Sequence, residues 1–478
     1  MNVPLDYRDP GGPTIGIALA KLPARKAEQR KGALVINRGG PGYSSIIYLE
    51  LLATGQVSAP WDDTVADRYD LVAIDARGVG LAPSAITCFE SPAAASAFGA
   101  GVPVVPVDEA QAAQVAAKDA EYVDRCRQRN AAVLDHLTTA NVARDMDLVR
   151  AGLGEQSLNY LGQSYGAALG FVYAGLFPDR VGRFVLDSVD DPVRATDGPA
   201  GSITSERTGT DVATQQAMDE FLGSCEQQQS CAFATDQPRR AYPELLRELR
   251  LHPLEVVAND GTHASLTYAK LIAYLGGRLY QPTSWRSEQV DRLLDSAYRA
   301  SRSPSDPAAA ELARLVLDKV DKSGLDNKYS ESPILSQAPY YAFTCNDDRL
   351  PRSADAWWTA ATRRESLAPG FATLRAFDTS VCAAWRPENT ERYTGPWRVH
   401  TQHPVLLVND RIDPATPLPG AEDIAHRLDN SRLLVNNGVG HVTTMQSHCA
   451  ISAVSDYLVS DALPAETASC TPDRAPFE

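Results

Sequence analysis

Apolar positions along the chain fall into two textures. In the first, short continuous apolar runs break off at glycine or aspartate, as in "GALVINRGG", "YDLVAIDARG", "SLNYLGQSYG" and "VGRFVLDSV". Runs of this length without polar alternation fit strands covered on both faces of a parallel sheet. Segments with a helical period lie between them. In "TTANVARDMDLVRAGLG", Val142, Met146 and Val149 recur at i, i+4 and i+7, and Gly152 and Gly154 stand at the end. "AALGFVYAGLF" is a further helix, stopped by "PDR". Strand alternating with helix predicts an α/β fold with a mostly parallel sheet.

From about residue 196 the strands largely vanish. "VATQQAMDEFLGSC", "YPELLRELRL", "YAKLIAYLGGRLY", "VDRLLDSAYRA" and "AAAELARLVLDKVD" all carry the helical period. From about residue 396 the first texture returns: strand and loop in "HPVLLVNDRIDPATP", helix in "AEDIAHRL", strand and loop in "SRLLVNNGVGH", and a closing helix in "ISAVSDYLVS". The expected organisation is therefore a core in two parts, 1–195 and 396–478, around a helical insertion, 196–395. No internal repeat or low-complexity linker interrupts it.

Charge and cysteine content narrow the function. The formal net charge of −15 and the absence of a clustered Lys/Arg stripe argue against nucleic-acid binding. No apolar run is long enough to span a membrane. No signal peptide is visible, because Met1 is followed directly by "NVPLDYRDPGG", which reads as folded-domain sequence. Eight cysteines contain no C-x-x-C pair and no tight Cys/His cluster, so no metal is expected, and no cofactor. Their even count, falling into sequence neighbours, favours disulfides and an oxidising compartment; neighbour pairing is the simplest of many connectivities.

The candidate chemistry centres on "GQSYG". Strand, G-x-S-x-G, helix is the context of a nucleophile elbow, in which Ser164 stands exposed above the sheet. A serine hydroxyl needs a base, and acid and histidine follow the serine in chain order in this architecture. His441 lies on a loop straight after a late strand. His400 and His403 precede that strand, His448 lies in the terminal helix, and His426 sits in a helical stretch. The acid should follow the preceding strand, where "NDRIDPATP" offers Asp410 and Asp413. Asp410 begins the turn and could simply cap it. Asp413 is further out, able to reach the histidine Nδ1, and is preferred. "INRGGPG" follows an early strand, and its glycines let backbone N–H groups face a site. Gly40 and Tyr165 are the expected oxyanion donors.

Taken in order, "NRGGPG", "DARGVG", "GQSYG", "DPATP" and "GVGH" resemble the secreted tripeptidyl aminopeptidases of actinobacteria, α/β-hydrolases related to proline iminopeptidases. The resemblance runs from "VPLDY" to Cys470. It implies an α/β-hydrolase fold with a large helical lid between the late core strands, a triad of Ser164, Asp413 and His441, and an oxyanion hole at Gly40 and Tyr165. It implies a disulfide between Cys345 and Cys382. With neighbour pairing it leads to the expectation of Cys88–Cys126, Cys225–Cys231 and Cys449–Cys470, and of a secreted enzyme whose signal has been removed. Arg38, Tyr43 and Val442 depart from the family pattern, as does "GVGLAPS" after Arg77. These changes bear on the mouth of the site and leave nucleophile, acid and base in place.

An aminopeptidase must hold a free α-ammonium. Asp347 and Asp348 in "CNDD" and Asp190 and Asp191 in "DSVDDP" are the candidates, although any of them could simply cap a turn. Asp347 is preferred because it adjoins the expected disulfide at the lid's return to the core. Trp357 and Trp358 are expected to pack in the lid rather than stack on substrate. The expected function is a secreted, monomeric serine exopeptidase that releases short peptides, tripeptides by resemblance, from free N-termini. The alternatives are a serine esterase or amidase on a small metabolite, a proline iminopeptidase releasing one residue, and a catalytically dead hydrolase fold used for binding.

Overall fold

A computed structural model of the chain describes residues 1–199, 201–303, 305–332, 334–387 and 391–477. Among them, a sheet is built from β1 (Ala18–Leu22), β2 (Gly32–Asn37), β3 (Tyr69–Asp75), β4 (Leu158–Gln163), β5 (Val181–Asp187), β6 (Val405–Ile412), β7 (Ser431–Val439) and β8 (Ser469–Cys470). Their spatial order is 1-3-2-4-5-6-7-8, with β1 antiparallel to β3 and every other neighbouring pair parallel.

The apolar runs explain the layering. Side chains alternate across a strand, so each run divides between two faces. Val35, Phe184, Leu186, Val405 and Leu407 enter one core, while Leu34, Ile36, Val185, Leu406 and Val408 enter the core on the other side. Both faces are covered, which is why the runs contain no polar alternation. The helices α1 (Thr139–Gly152) and α2 (Tyr165–Leu176) pack against each other, and the Thr138 side chain caps α1 by accepting from the Asn141 N–H at 3.3 Å.

Between β5 and β6 the chain runs through the helical lid, which includes Thr210–Gln227, Pro238–Leu251, Tyr268–Arg278 and Val290–Arg302. This part has its own core around Phe221, Leu245, Tyr274, Trp285 and Leu293. The later helices, α3 (Gln337–Asp347) and Asp355–Arg364, instead bury Tyr341, Phe343 and Trp357 in the core of the sheet. Trp357 is thus core rather than a stacking surface, but it packs in the core of the sheet and not, as expected, in that of the lid; its indole N–H reaches Thr379 Oγ1 at 3.2 Å. Two features escaped the periodicity. A helix of 22 residues, Glu109–Asn130, sits within the first core segment. Within the lid, Leu254–Val257 and His263–Leu266 form an antiparallel hairpin. Its strands are four residues each, too short for a period to register, and the turn chemistry of "NDG" was the available signal.

Four disulfides join Cys88–Cys126, Cys225–Cys231, Cys345–Cys382 and Cys449–Cys470, with Cα–Cα separations of 4.4, 5.3, 5.1 and 5.7 Å. The first ties the Glu109–Asn130 helix to the segment after β3. The third ties α3 to the turn at Ser380–Ala383. The last ties the closing helix, His448–Ser460, to the edge strand β8. No helix among the described residues is long and apolar enough to cross a membrane. Thiol titration of the unfolded, unreduced protein is expected to find no reactive cysteine, and titration after reduction to find eight. Free thiols before reduction would contradict these pairings.

Candidate active site

Ser164 occupies the turn between β4 and α2 with φ 59° and ψ −127°, a left-handed conformation unusual for a residue with a side chain. Holding it there costs about 1–3 kcal/mol, so the surroundings must over-determine it. They do so by close approach. A Cβ on Gly162 would lie 2.2 Å from the Gly166 carbonyl oxygen, and one on Gly166 would lie 2.7 Å from the Asn37 carbonyl oxygen. The Ser164 N–H donates to the Asp187 carbonyl at 2.9 Å, anchoring the turn to β5. The two glycines of the motif are therefore steric requirements of strand, helix and neighbouring loop meeting at one point.

His441 follows β7 on a loop in which Gly440 and Val442 both have positive φ. Its Nδ1 lies 3.0 and 2.9 Å from the two carboxylate oxygens of Asp413. Asp413 is fully buried, and three further donors hold it: the N–H groups of Ala415 (2.8 Å) and Thr416 (2.9 Å) on Oδ1, and the Thr416 hydroxyl (2.8 Å) on Oδ2. A carboxylate satisfied in this way favours the imidazole tautomer with its proton on Nδ1, which leaves Nε2 free to accept a proton.

Asp410, the alternative acid, does not begin the turn. It lies within β6 and accepts from Asn436 Nδ2 on the adjacent strand. The β6–β7 register shifts between Asp410 and Ile412, and such an irregularity re-aims the residues that follow it. Burial pushes the Asp410 pKa well above the ordinary carboxylate range, opposed by the hydrogen bond from Asn436.

Ser164, His441, Gly40, Tyr165, Asp190, Asp347 and Asp348 all line one cavity of about 720 Å³. Tyr165 is the first residue of α2, so its N–H belongs to the unpaired helix start. Gly40 lies on the loop after β2, held in shape by the Asn37 side chain, which accepts from the Gly39 N–H at 2.9 Å.

The four candidate ammonium partners separate. Asp191 caps the helix Pro192–Thr196, accepting from the N–H groups of Val193 (2.9 Å) and Arg194 (3.1 Å). Asp348 accepts from Thr204 Oγ1 at 2.8 Å and faces Arg207 at 3.8 Å. Asp347 Oδ2 accepts from the Thr139 N–H (2.9 Å) and hydroxyl (2.6 Å), while its Oδ1 is buried with no hydrogen-bond partner. Burial raises the pKa of Asp190 and Asp347 to about 6 and that of Asp348 to about 7.

Several residues around the site carried no sequence signal. Asp187, at the end of β5, accepts from the Thr443 N–H (2.9 Å), the Thr444 N–H (3.3 Å) and hydroxyl (2.6 Å), and Gln163 Nε2 (3.5 Å). One carboxylate thus joins the residue before Ser164 to the loop after His441. The Val442 N–H donates to Ser188 Oγ at 2.8 Å. From the lid, the Tyr280 carbonyl accepts the His441 N–H at 2.8 Å, and Gln281 Nε2 donates to the His441 carbonyl at 3.0 Å. Arg375 packs its guanidinium over the Tyr280 ring, 5.4 Å from its centroid, and reaches Pro414 O at 3.5 Å. Away from the cavity, Asp6, His136 and Glu391 cluster closely enough to ligate a metal, but Arg8 pairs with both acids, at 2.7 and 3.7 Å.

Residues 32–447 match the α/β hydrolase fold family. The whole chain aligns with the tripeptidyl aminopeptidase of Streptomyces coelicolor at 30% identity, covering 83% of that protein. It is 29% identical to serine protease Hip1 of Mycobacterium tuberculosis over 98% of this chain and 86% of the relative. It is 30% identical to a carboxylesterase B of the same organism over 99% and 86%.

The geometry separates the two acids by their effect on turnover. Asp413→Asn is expected to lower kcat by about 10⁴-fold, because the amide no longer fixes the histidine tautomer. Asp410→Asn replaces a carboxyl bonded to Asn436 rather than to His441 with an isostere, and is expected to cost less than about tenfold, or about 1.4 kcal/mol. Steady-state kinetics of both variants with intact near-UV spectra decide the assignment; equal losses would contradict it.

Proposed function

The chain belongs to the tripeptidyl aminopeptidase family of α/β-hydrolases, and from that premise we propose that it is a secreted exopeptidase releasing tripeptides from free peptide N-termini. It is a serine hydrolase, a serine peptidase of this fold. The observation that carries the finer reading is Asp347. Asp347 lines the cavity that Ser164 lines and holds a buried carboxylate oxygen without a partner, which a substrate ammonium would satisfy. A substrate without a cationic or N–H donor end leaves that oxygen without a partner.

In this reading Ser164 Oγ attacks the scissile carbonyl carbon as His441 Nε2 takes its proton. Asp413 holds the imidazolium that forms. The carbonyl oxygen gains its negative charge between the N–H groups of Gly40 and Tyr165. Collapse expels the leaving amine, which takes its proton from His441, and leaves an acyl-enzyme on Ser164. Water, deprotonated by His441, then attacks the ester carbonyl and frees the N-terminal fragment with its new carboxylate. An extended chain advances about 3.3 Å per residue, so release of a tripeptide places the ammonium on the order of 10 Å from Ser164. Export is supported by the four disulfides, which persist in oxidising compartments. The esterase reading draws on the likeness to a carboxylesterase B, and a peptide anilide with a free amine against its N-acetylated twin separates the two.

Ser164→Ala is expected to lower kcat by about 10⁴-fold or more with the fold intact. Mass analysis of products from a mixed-sequence peptide is expected to show successive loss of three residues; loss of one would favour the proline iminopeptidase reading. N-acetylation of the substrate should reduce kcat/KM by at least about 10²-fold, or about 2.8 kcal/mol. The ammonium needs ionised carboxylates. Those of Asp190 and Asp347 become neutral as pH falls through about 6, and that of Asp348 as pH falls through about 7. KM for a free-amine substrate should therefore rise as pH falls from about 7 to 5, whereas KM for an N-acetylated substrate should not. Parallel KM profiles would remove these carboxylates from substrate binding.

A further inference from the structure

Three cationic side chains line the cavity among the described residues: Arg38, Lys328 and Arg375. Lys328 is paired with Asp119 at 2.9 Å and Arg375 with Asp378 at 3.4 Å. Arg38 has no carboxylate partner among the described residues. Its guanidinium lies over the rings of Tyr43 and Tyr48, 5.7 and 5.6 Å from their centroids, and one N–H reaches the Met445 thioether at 3.5 Å. Ring faces hold a guanidinium without using its donors, and a thioether is a weak acceptor. A half-buried arginine with most of its N–H groups unspent is therefore fixed in the wall of the cavity.

Its position relative to the reacting atoms follows from its neighbours. Arg38 directly precedes the Gly39–Gly40 turn, and a Cβ on Gly39 would lie 3.0 Å from the Ser164 Cβ. Met445 belongs to the loop that follows His441, and Gln281, which holds the His441 carbonyl, reaches the same sulfur at 3.9 Å. Arg38 is thus on the side of the base, which must protonate the leaving amine. Asp190 lies close enough to His441 to interact with it, but the other two carboxylates contact a different set of residues: Asp347 touches Thr139, and Asp348 touches Thr204 and Arg207. No contact is common to the two sets.

We propose that Arg38 binds a carboxylate on the leaving side of the scissile bond, so that this enzyme selects short peptides whose free C-terminal carboxylate lies close behind the bond that is cut. This rests on the exopeptidase reading. A substrate would then be held at two charged ends, ammonium against the aspartates and carboxylate in the planar fork of the guanidinium, with Ser164 between them. In a chain of net charge −15, one unpaired arginine at the site supplies the attraction that an anionic peptide end otherwise lacks.

The test is a series of free-amine peptides of four, five and six residues, each made as the C-terminal acid and as the C-terminal amide, together with a free-amine tripeptide anilide that has no carboxylate. The expected result is a kcat/KM at least about tenfold higher for the acid than for the amide at the length that brings the carboxylate to Arg38, equivalent to about 1.4 kcal/mol. Arg38→Gln should collapse that ratio to below about threefold, and Arg38→Lys should retain part of it, since a lysine keeps the charge and loses the fork. An acid-to-amide ratio near one at every length in the wild-type enzyme overturns the proposal, as does a ratio that Arg38→Gln leaves unchanged. If the anilide is turned over while the ratio is one, the exopeptidase reading stands and only the carboxylate site falls. If neither peptides nor anilide are cut, both fall.

Discussion

The left-handed turn at Ser164 is the constraint from which the rest of the site is built. A side-chain-bearing residue at φ 59° is strained, and it stays there because β4, α2 and the loop after β2 approach so closely that Gly162 and Gly166 have no room for a Cβ. The same approach brings the Gly39 backbone against Ser164 and the first N–H of α2. Ser164 and the expected oxyanion loop are therefore one geometric unit. Relaxing the turn would move all of them together.

His441 and Asp413 reach that unit from the ends of β7 and β6, parallel strands further along the same sheet, and buried carboxylates organise the approach. Asp187 ties Gln163 to Thr443 and Thr444, while Asp413 spends its oxygens on His441, Ala415 and Thr416. Burying a carboxylate is costly unless its oxygens are satisfied, and these two are. Asp347 Oδ1, like Asp410 Oδ2 and Asp191 Oδ2, is not, and of these three residues Asp347 is the one that lines the cavity, which supports its proposed reading as a binding group.

The lid does more than roof the cavity. Tyr280 and Gln281 grip the backbone of His441 on both sides, and Arg375 bridges Tyr280 to the loop carrying Asp413. The lid's return to the sheet is stapled through Cys345–Cys382, at the helix that presents Asp347. Displacement of the lid would thus disturb the surroundings of both His441 and Asp347.

Local sequence specified a good deal of this. The unalternating runs at 32–37, 69–75, 181–187 and 405–412 carry both faces of a buried strand in their own composition, so the parallel sheet was legible. The sharp turn at Ser164 was legible because its requirement is local, two glycines between a strand and a helix, and the place of His441 on a loop because it follows the last long strand. What lay outside local sequence was whatever depends on a partner distant in the chain. The hairpin at 254–266 is too short to show a period, and the role of Asp410 turned on Asn436 and on a register shift in β6. Asp187, Thr416, Tyr280 and Arg375 are ordinary residues in sequence and become part of the site only through contacts. Sequence determined which segments fold and which residue types could react, because periodicity and turn chemistry are properties of neighbours. The tertiary structure decided which carboxylate is satisfied, which is pushed up by burial and which is left without a partner, because desolvation and hydrogen bonding depend on everything packed around the group.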